Sequence, residues 1–243
     1  MVIYKARRDE MGKVAKGVKI AIISAFVAVQ TVLFALFLAE DFGTASVGDN
    51  AMLKFATVIC AFLFAGVLLA LNGRAHLADN ILLVLGLACT IVSDLFLLVL
   101  GDYLEIGLVT FICAQLFYFA RIRRTKVWLV CSVAVRVSLS AIAIIVLASL
   151  KQADALYILV AIYFVQLVMN LFENVALAFV GKEKALKAQG ILLSVAFLLF
   201  VGCDISVGLS NLYDGMANEF IWLFYTPSQT LIALSGRGLY EKV

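Results

Sequence analysis

Eight apolar runs, at approximately residues 18–39, 51–71, 79–100, 103–120, 127–149, 155–179, 186–208 and 219–237, fill the sequence and leave only short loops between them. Most reach the roughly 20 residues that an α-helix needs to cross a bilayer. In hydrocarbon every backbone N–H and C=O has to be satisfied inside the protein, so segments of this kind fold as helices packed on one another. The expected fold is therefore all-α, a polytopic membrane protein with eight transmembrane helices. Composition agrees, because 65% apolar and 14% charged residues, with a mean hydropathy of +1.10, leave too little polar surface to cover a soluble globule. The transmembrane domain is expected over 18–237, between a basic segment at 1–17 and a short tail at 238–243. The first run follows basic residues as a signal peptide would, but it is longer than the apolar region of one and lacks a clear small-residue cleavage site. It is read as a retained helix. All five cysteines, Cys60, Cys89, Cys113, Cys131 and Cys203, fall inside apolar runs and are read as packing residues rather than as a disulfide framework.

Loop charge predicts the orientation. Lys5, Arg7, Arg8, Lys13, Lys16, Lys19, Arg74, Arg121, Arg123, Arg124, Lys126, Lys182, Lys184, Lys187, Arg237 and Lys242 fall on one side, which is sixteen of the nineteen basic residues. The opposite loops carry Glu40, Asp41, Asp49, Asp102, Glu105, Asp154, Asp214 and Glu219, with Lys151 as their one basic residue. By the positive-inside rule both termini are cytoplasmic and the protein is a multi-pass integral membrane protein, of the plasma (inner) membrane in a bacterium. The net charge of +3 then reflects topology, and no nucleic-acid surface is implied.

Five charges remain inside the runs: Lys54, Asp94, Arg136, Glu173 and Asp204. An ionisable group in hydrocarbon costs several kcal/mol unless it faces a partner or a wet cavity, so these positions are where function is expected. Lys54, Asp94 and Asp204 fall about 5, 9 and 6 Å below the outer helix ends at 1.5 Å per residue. Arg136 and Glu173 fall on the cytoplasmic half, where mutual neutralisation as a structural ion pair explains both. Polar residues recur beside them at helical spacing: Tyr163, Gln166, Asn170, Glu173 and Asn174 on the sixth run, Ser132, Arg136 and Ser140 on the fifth, Gln115 with Tyr118 on the fourth, Tyr225 with Gln229 on the eighth. A polar-lined interior follows. The single histidine, His76, falls in a loop, so neither a His cluster for zinc nor a Ser-His-Asp set at the aspartates' depth is expected; no metal or cofactor is expected at all.

The two halves of the chain echo one another faintly. "SDLFLLVLGDYLE" followed by "FICAQLFYF" parallels "CDISVGLSNLYDG" followed by "FYTPSQTLI". Two pseudo-symmetric four-helix halves would bring Asp94 and Asp204 towards a common axis.

"LACTIVSDLFLLVL", "GLVTFICAQLFYFARI", "FLLFVGCDISVGLSNLY" and "FYTPSQTLIAL" resemble the YhhN family of lysoplasmalogenase-like membrane proteins, from about Lys54 to the C-terminus. The resemblance implies eight membrane helices and hydrolysis of the vinyl ether bond of lysoplasmalogen, with Asp94 and Asp204 at the family's two intramembrane aspartates, Lys54 at its lysine, and Tyr225 and Gln229 at its Tyr and Gln on the last helix. Three positions depart from the family pattern: Phe55 stands where a proline is expected, Ser93 where glycine is usual, and Gln115 where a histidine is expected. Any role needing imidazole there is absent.

The implied reaction needs one carboxylic acid to protonate the vinyl ether and one carboxylate to stabilise the cation and activate water, the division of labour found in glycosidases. Burial favours the protonated carboxyl and a neighbouring ammonium the ionised one, so Lys54 is expected to tune the Asp94/Asp204 pair. Tyr118, Tyr225, Gln229, Gln115, Tyr163, Gln166 and Asn170 are expected to bind substrate or water. The expected partners are a vinyl-ether lysophospholipid and the surrounding lipids; no protein partner is assigned. The rival reading is a lipid or small-solute transporter or binding protein that uses the same charges for protons or a headgroup.

Overall fold

The computed structural model describes residues 2–43, 50–72, 76–122, 125–181, 183–213 and 218–239, with side chains of the first helix from Gly17 onward and of the last from Glu219. Among these residues there are eight α-helices: α1 (Val2–Asp41), α2 (Asn50–Asn72), α3 (Leu77–Asp94), α4 (Leu104–Arg121), α5 (Lys126–Ser149), α6 (Ala155–Val180), α7 (Lys184–Leu212) and α8 (Asn218–Leu234). The fold is all-α, as the apolar runs require. Seven of these helices are long and apolar enough to cross a membrane; α8, with 17 residues and Pro227 inside it, is shorter.

Three boundaries differ from the apolar runs. Helix α1 starts at Val2, so the basic segment at 2–17 continues the first helix in backbone conformation. Helix α7 runs on to Leu212 because "SVGLSNL" contains no proline and the turn signal Asp214-Gly215 comes only after it, and this puts Asp204 eight residues, or about 12 Å, from its end, deeper than the run at 186–208 implies. The third run divides: α3 ends at Asp94 and a π-helical segment, Leu95–Leu100, continues it. A π turn places one extra residue in the ladder and is found preferentially at functional sites. The link to α4 is tight, with Gly101 and Tyr103 both in the left-handed region at φ 66° and 60°.

Packing relations define the bundle. Helices α2, α3, α4, α6, α7 and α8 each touch the next, and α8 closes on α2, giving a ring; α1 packs outside on α2 and α8, and α5 packs outside on α6. Replacing each helix by the one four later reproduces most of the pattern: α1·α2 maps to α5·α6, α2·α3 to α6·α7, α3·α4 to α7·α8, and α2·α8 to α4·α6. The departure falls on α8, which also packs on α1 and α3. The core inside the ring contains Val58, Phe64, Leu68, Leu83, Leu87, Leu167, Phe197, Phe200 and Ile232. Outward faces carry aliphatic residues such as Val127, Val137, Ile145 and Leu198, the distribution expected when lipid is the solvent.

Of the charges that predict orientation, Arg74, Arg123, Arg124, Lys182, Lys242, Asp49 and Asp214 lie outside the described residues, as do the side chains of Lys5, Arg7, Arg8, Lys13 and Lys16. Two basic residues that the sequence assigns to loops belong to the interior. Arg121 is 4% exposed and clasps the carboxylate of Asp79, with Nε to Oδ1 at 3.3 Å and Nη2 to Oδ2 at 3.2 Å. The same guanidinium donates to Ser235 Oγ at 2.9 Å and to the Ser235 carbonyl at 3.1 Å. Gln189 donates to Asp79 and to the Ser235 carbonyl, and Arg237 donates through its backbone N–H to Asp79 and through Nε to Gln189. This clamp ties the end of α8 to α3, α4 and α7. His76, expected as a loop residue, is half-buried just before α3. The five cysteines are free.

Candidate functional site

At the opposite end of the ring from the clamp, the structure gathers Asp94, Tyr225, Tyr163 and Asp204. Asp94 closes the last α-helical turn of α3, at 5% exposure, and accepts a hydrogen bond from Tyr225 Oη of α8 at 2.7 Å. This contact crosses the α3·α8 packing that breaks the twofold pattern of the ring, so the two aspartates that the sequence echo pairs have different partners. Asp204, on α7, faces Tyr163 of α6, and Tyr163 is also within electrostatic reach of Asp94. Tyr163 Oη and Asp204 Oδ2 are both buried, and the hydroxyl faces the carboxyl closely enough for a weak hydrogen bond, while among the described residues neither atom makes one of good geometry. Cys203, the neighbour of Asp204, is buried. Tyr163 is therefore near both aspartates, and nearer to Asp204.

The walls are aromatic. Phe111 packs on Tyr163 at 5.6 Å and on Phe200 at 5.8 Å between centroids, Phe200 on Tyr225 at 5.4 Å, and Trp222 on Tyr225 at 5.1 Å. Edge-to-face contacts from Phe200 and Trp222 fix Tyr225 and a tilted contact from Phe111 holds Tyr163, and these rings keep bulk water from the buried Asp94. Immediately behind Asp94, Ser93 Oγ donates to the Gly107 carbonyl at 2.6 Å, and a Cβ at Gly107 would meet Leu97 of the π segment at 2.6 Å. Ser93, at the position where the resemblance leads to the expectation of a glycine, thus ties α3 to α4 beside the aspartate.

Lys54 lies four residues into α2, about 6 Å from its end. Its Nζ donates to Asp41 Oδ1 of α1 at 2.7 Å, and Asn50 donates to the same oxygen at 2.6 Å. The ammonium also sits over Trp222 at 5.6 Å and Phe37 at 5.8 Å. Lys54 therefore pairs with Asp41, which the sequence places among the loop charges, and it meets the aspartate site through Trp222, which packs on Tyr225.

The remaining candidates divide between two places. Gln115, Gln166 and Asn170 belong to a network around Arg136, which is 4% exposed: Arg136 donates to Gln166 Oε1 at 2.8 Å, to Asn170 Oδ1 at 2.9 Å and to Glu173 Oε1 at 3.0 Å, and Ser132 donates to the same Glu173 oxygen. Asn170 in turn donates to Gln115 Oε1 at 2.8 Å. The guanidinium stacks over Phe119 at 4.2 Å. Gln115, at the position where the resemblance leads to the expectation of a histidine, serves helix packing through its oxygen. Tyr118 lies on α4 against Gly86, where a Cβ would overlap its ring, and shares a hydrogen bond with Thr90 at 3.3 Å. Gln229 is on α8 one turn from Tyr225, 1% exposed, with neither amide atom partnered by protein.

Sequence reasoning missed Trp222, Phe111, Phe200 and Cys203 as parts of this site, because an aromatic or a cysteine in an apolar run carries no signal of its own. It also missed Asp79, which stands at the start of a run. Among the described residues no group of three or more His, Cys, Asp or Glu side chains is arranged to hold a metal ion.

The model of the YhhN family matches residues 49–236, which takes in α8 to its end and every helix of the ring, but not α1. No curated protein and no solved structure gives a significant match to the chain.

Proposed function

The chain belongs to the YhhN family, and on that premise we propose that it is a lysoplasmalogenase-like intramembrane hydrolase, with Asp94 and Asp204 as its acid and base. The observation that carries the reading is the pair of carboxyl groups on α3 and α7, Asp94 buried and Asp204 half-buried, that lie close to one tyrosine, Tyr163, beside aromatic walls. In this reading the chain crosses the membrane eight times with both termini cytoplasmic, α8 being just long enough at about 25 Å.

The chemistry follows from the substrate. A protonated carboxyl group donates its proton to the β-carbon of the vinyl ether; the π pair forms the new C–H bond and leaves an oxocarbenium ion. The second carboxylate faces that cation and takes a proton from the water that adds to the α-carbon, giving a hemiacetal. The hemiacetal collapses when its hydroxyl gives its proton to the carboxylate that has lost one and its oxygen forms the carbonyl, while the C–O bond to glycerol breaks and the glycerol oxygen takes the proton held by the other carboxyl group, releasing a fatty aldehyde and a glycerophospholipid and restoring both aspartates. No metal, redox partner or covalent intermediate is needed. Tyr225 holds the Asp94 carboxyl in one orientation, and the aromatic walls limit water to what the reaction consumes. The depth of Asp94, six residues or about 9 Å from the end of the π segment, suits a bond just below the headgroup.

The test is aldehyde release from a purified lysoplasmalogen by the detergent-solubilised protein, beside Asp94→Asn and Asp204→Asn. Release by the wild type and none by either folded variant is the expected result. No aldehyde from folded wild type, across headgroups and pH, overturns the reading and leaves transport by the same charges to be tested in proteoliposomes.

A further inference from the structure

Hydroxyl groups in membrane helices usually satisfy themselves on the preceding turn, and in this chain Thr31, Thr90, Thr110, Ser149, Ser194, Ser206 and Thr230 all donate to the carbonyl four residues back. Two on α8 do not. Thr226 Oγ1 and Ser228 Oγ, at 2% and 0% exposure, have no protein partner, and Gln229 beside them has none for either amide atom. Four unpartnered polar atoms thus fall within one turn of α8, on either side of Pro227, which has no N–H to give the carbonyl of Leu223. Each such atom left dry in a membrane interior costs on the order of 1 to 3 kcal/mol; Thr226 points away from Ser228 around the helix, whereas Ser228 and Gln229 share the face of Tyr225 and together need a polar occupant.

Position decides which occupant. Gln229 is four residues beyond Tyr225, on the same face of α8 and about 6 Å further from the start of that helix. A phosphate or ammonium headgroup does not reach that depth, and an alkenyl chain offers no hydrogen bonds. Water is small enough, carries both donors and acceptors to match an amide and a hydroxyl, and is the second reactant of the proposed hydrolysis.

We propose that Ser228 and Gln229, three and four residues beyond Tyr225 and on its face of α8, form a buried water-binding site one turn below it, and that this site supplies the water that captures the oxocarbenium ion. The second half rests on the hydrolase reading; the first half does not. Water then reaches the cation from the side of the membrane centre, opposite the headgroup. The addition balances as written above: the water oxygen bonds to the α-carbon and its proton passes to the carboxylate.

Two measurements separate the halves. In water-edited solid-state NMR of the full chain in lipid bilayers with labelled glutamine, the side-chain amide signal that disappears in Gln229→Leu is expected to receive water magnetisation as fast as that of exposed Gln152. Transfer as slow as that to Gln166, whose oxygen is bonded by Arg136, overturns the water site. In the aldehyde assay, Ser228→Ala and Gln229→Leu are expected to lower kcat by about tenfold or more with KM little changed. A hydrated Gln229 with full kcat in both variants overturns the supply role. A hydrated Gln229 in a wild type that releases no aldehyde overturns the hydrolase reading and leaves the water site standing.

Discussion

Asp79 and Asp94 lie fifteen residues apart on one helix, at nearly equal burial, 7% and 5% exposed, and their surroundings are opposite. The Asp79 carboxylate takes donors from Arg121, Gln189 and the backbone of Arg237. Asp94 takes one, from Tyr225, and its counterpart Asp204 has an oxygen with none. A buried carboxylate whose lone pairs are filled by protein is bound into the fold and has no capacity left for a substrate. A buried carboxyl group that the protein leaves under-bonded is held for something else. Burial alone does not distinguish structure from chemistry; the count of partners does.

The largest expected effects test the chemical end of α3. Asp94→Asn and Asp204→Asn are each expected to lower aldehyde release by about 100-fold or more, the range of general acid–base catalysis, while thermal melting in detergent moves little. A collapse of melting instead would show that the comparison is misdrawn.

At the other end the effect should appear in stability. Asp79→Leu strands the Arg121 guanidinium in the interior, and the expected loss is about 3 to 5 kcal/mol, read as a fall in melting temperature. The Arg136–Glu173 pair gives a sharper version. Arg136→Met alone should destabilise by a similar amount of about 3 to 5 kcal/mol, whereas Arg136→Met with Glu173→Leu should recover much of it, because an apolar replacement leaves no unpaired charge. No recovery in the double variant would point to a role beyond neutralisation.

Smaller effects refine the contrast. Tyr225→Phe removes the one protein donor to Asp94, and since a hydrogen bond to a charged or acidic partner contributes about 1.5 to 3 kcal/mol, aldehyde release should fall about tenfold or more. Tyr118→Phe removes only the 3.3 Å contact with Thr90 and should cost about 1 kcal/mol or less in stability with activity kept. If Tyr118→Phe proves the more damaging to activity, the site extends along α4 further than the hydrogen bonds indicate.

Much of the fold is legible in the amino-acid sequence. Apolar run length imposes helices because hydrocarbon offers no other partner to the backbone, and the runs at 51–71 and 127–149 come within a residue of α2 and α5. Spacing of three and four puts Gln166, Asn170 and Glu173 on one face, and Arg136 meets all three. The match of residues 49–236 to the YhhN family agrees with the motifs around Asp94, Asp204 and Tyr225.

The amino-acid sequence by itself determined that the chain is a bundle of membrane-length helices with charges too costly to be idle, since both follow from local transfer energies that need no neighbour. Which charge meets which was decided only by the tertiary structure. Lys54 finds Asp41 across α1 and α2, Arg121 turns inward to Asp79, and Gln115 joins the Arg136 network and not the aspartates. Attraction between charges depends on separations that helix register, the π turn after Asp94 and the closure of α8 on α2 and α3 set together. Those are properties of packed surfaces, and no segment of the sequence contains them alone.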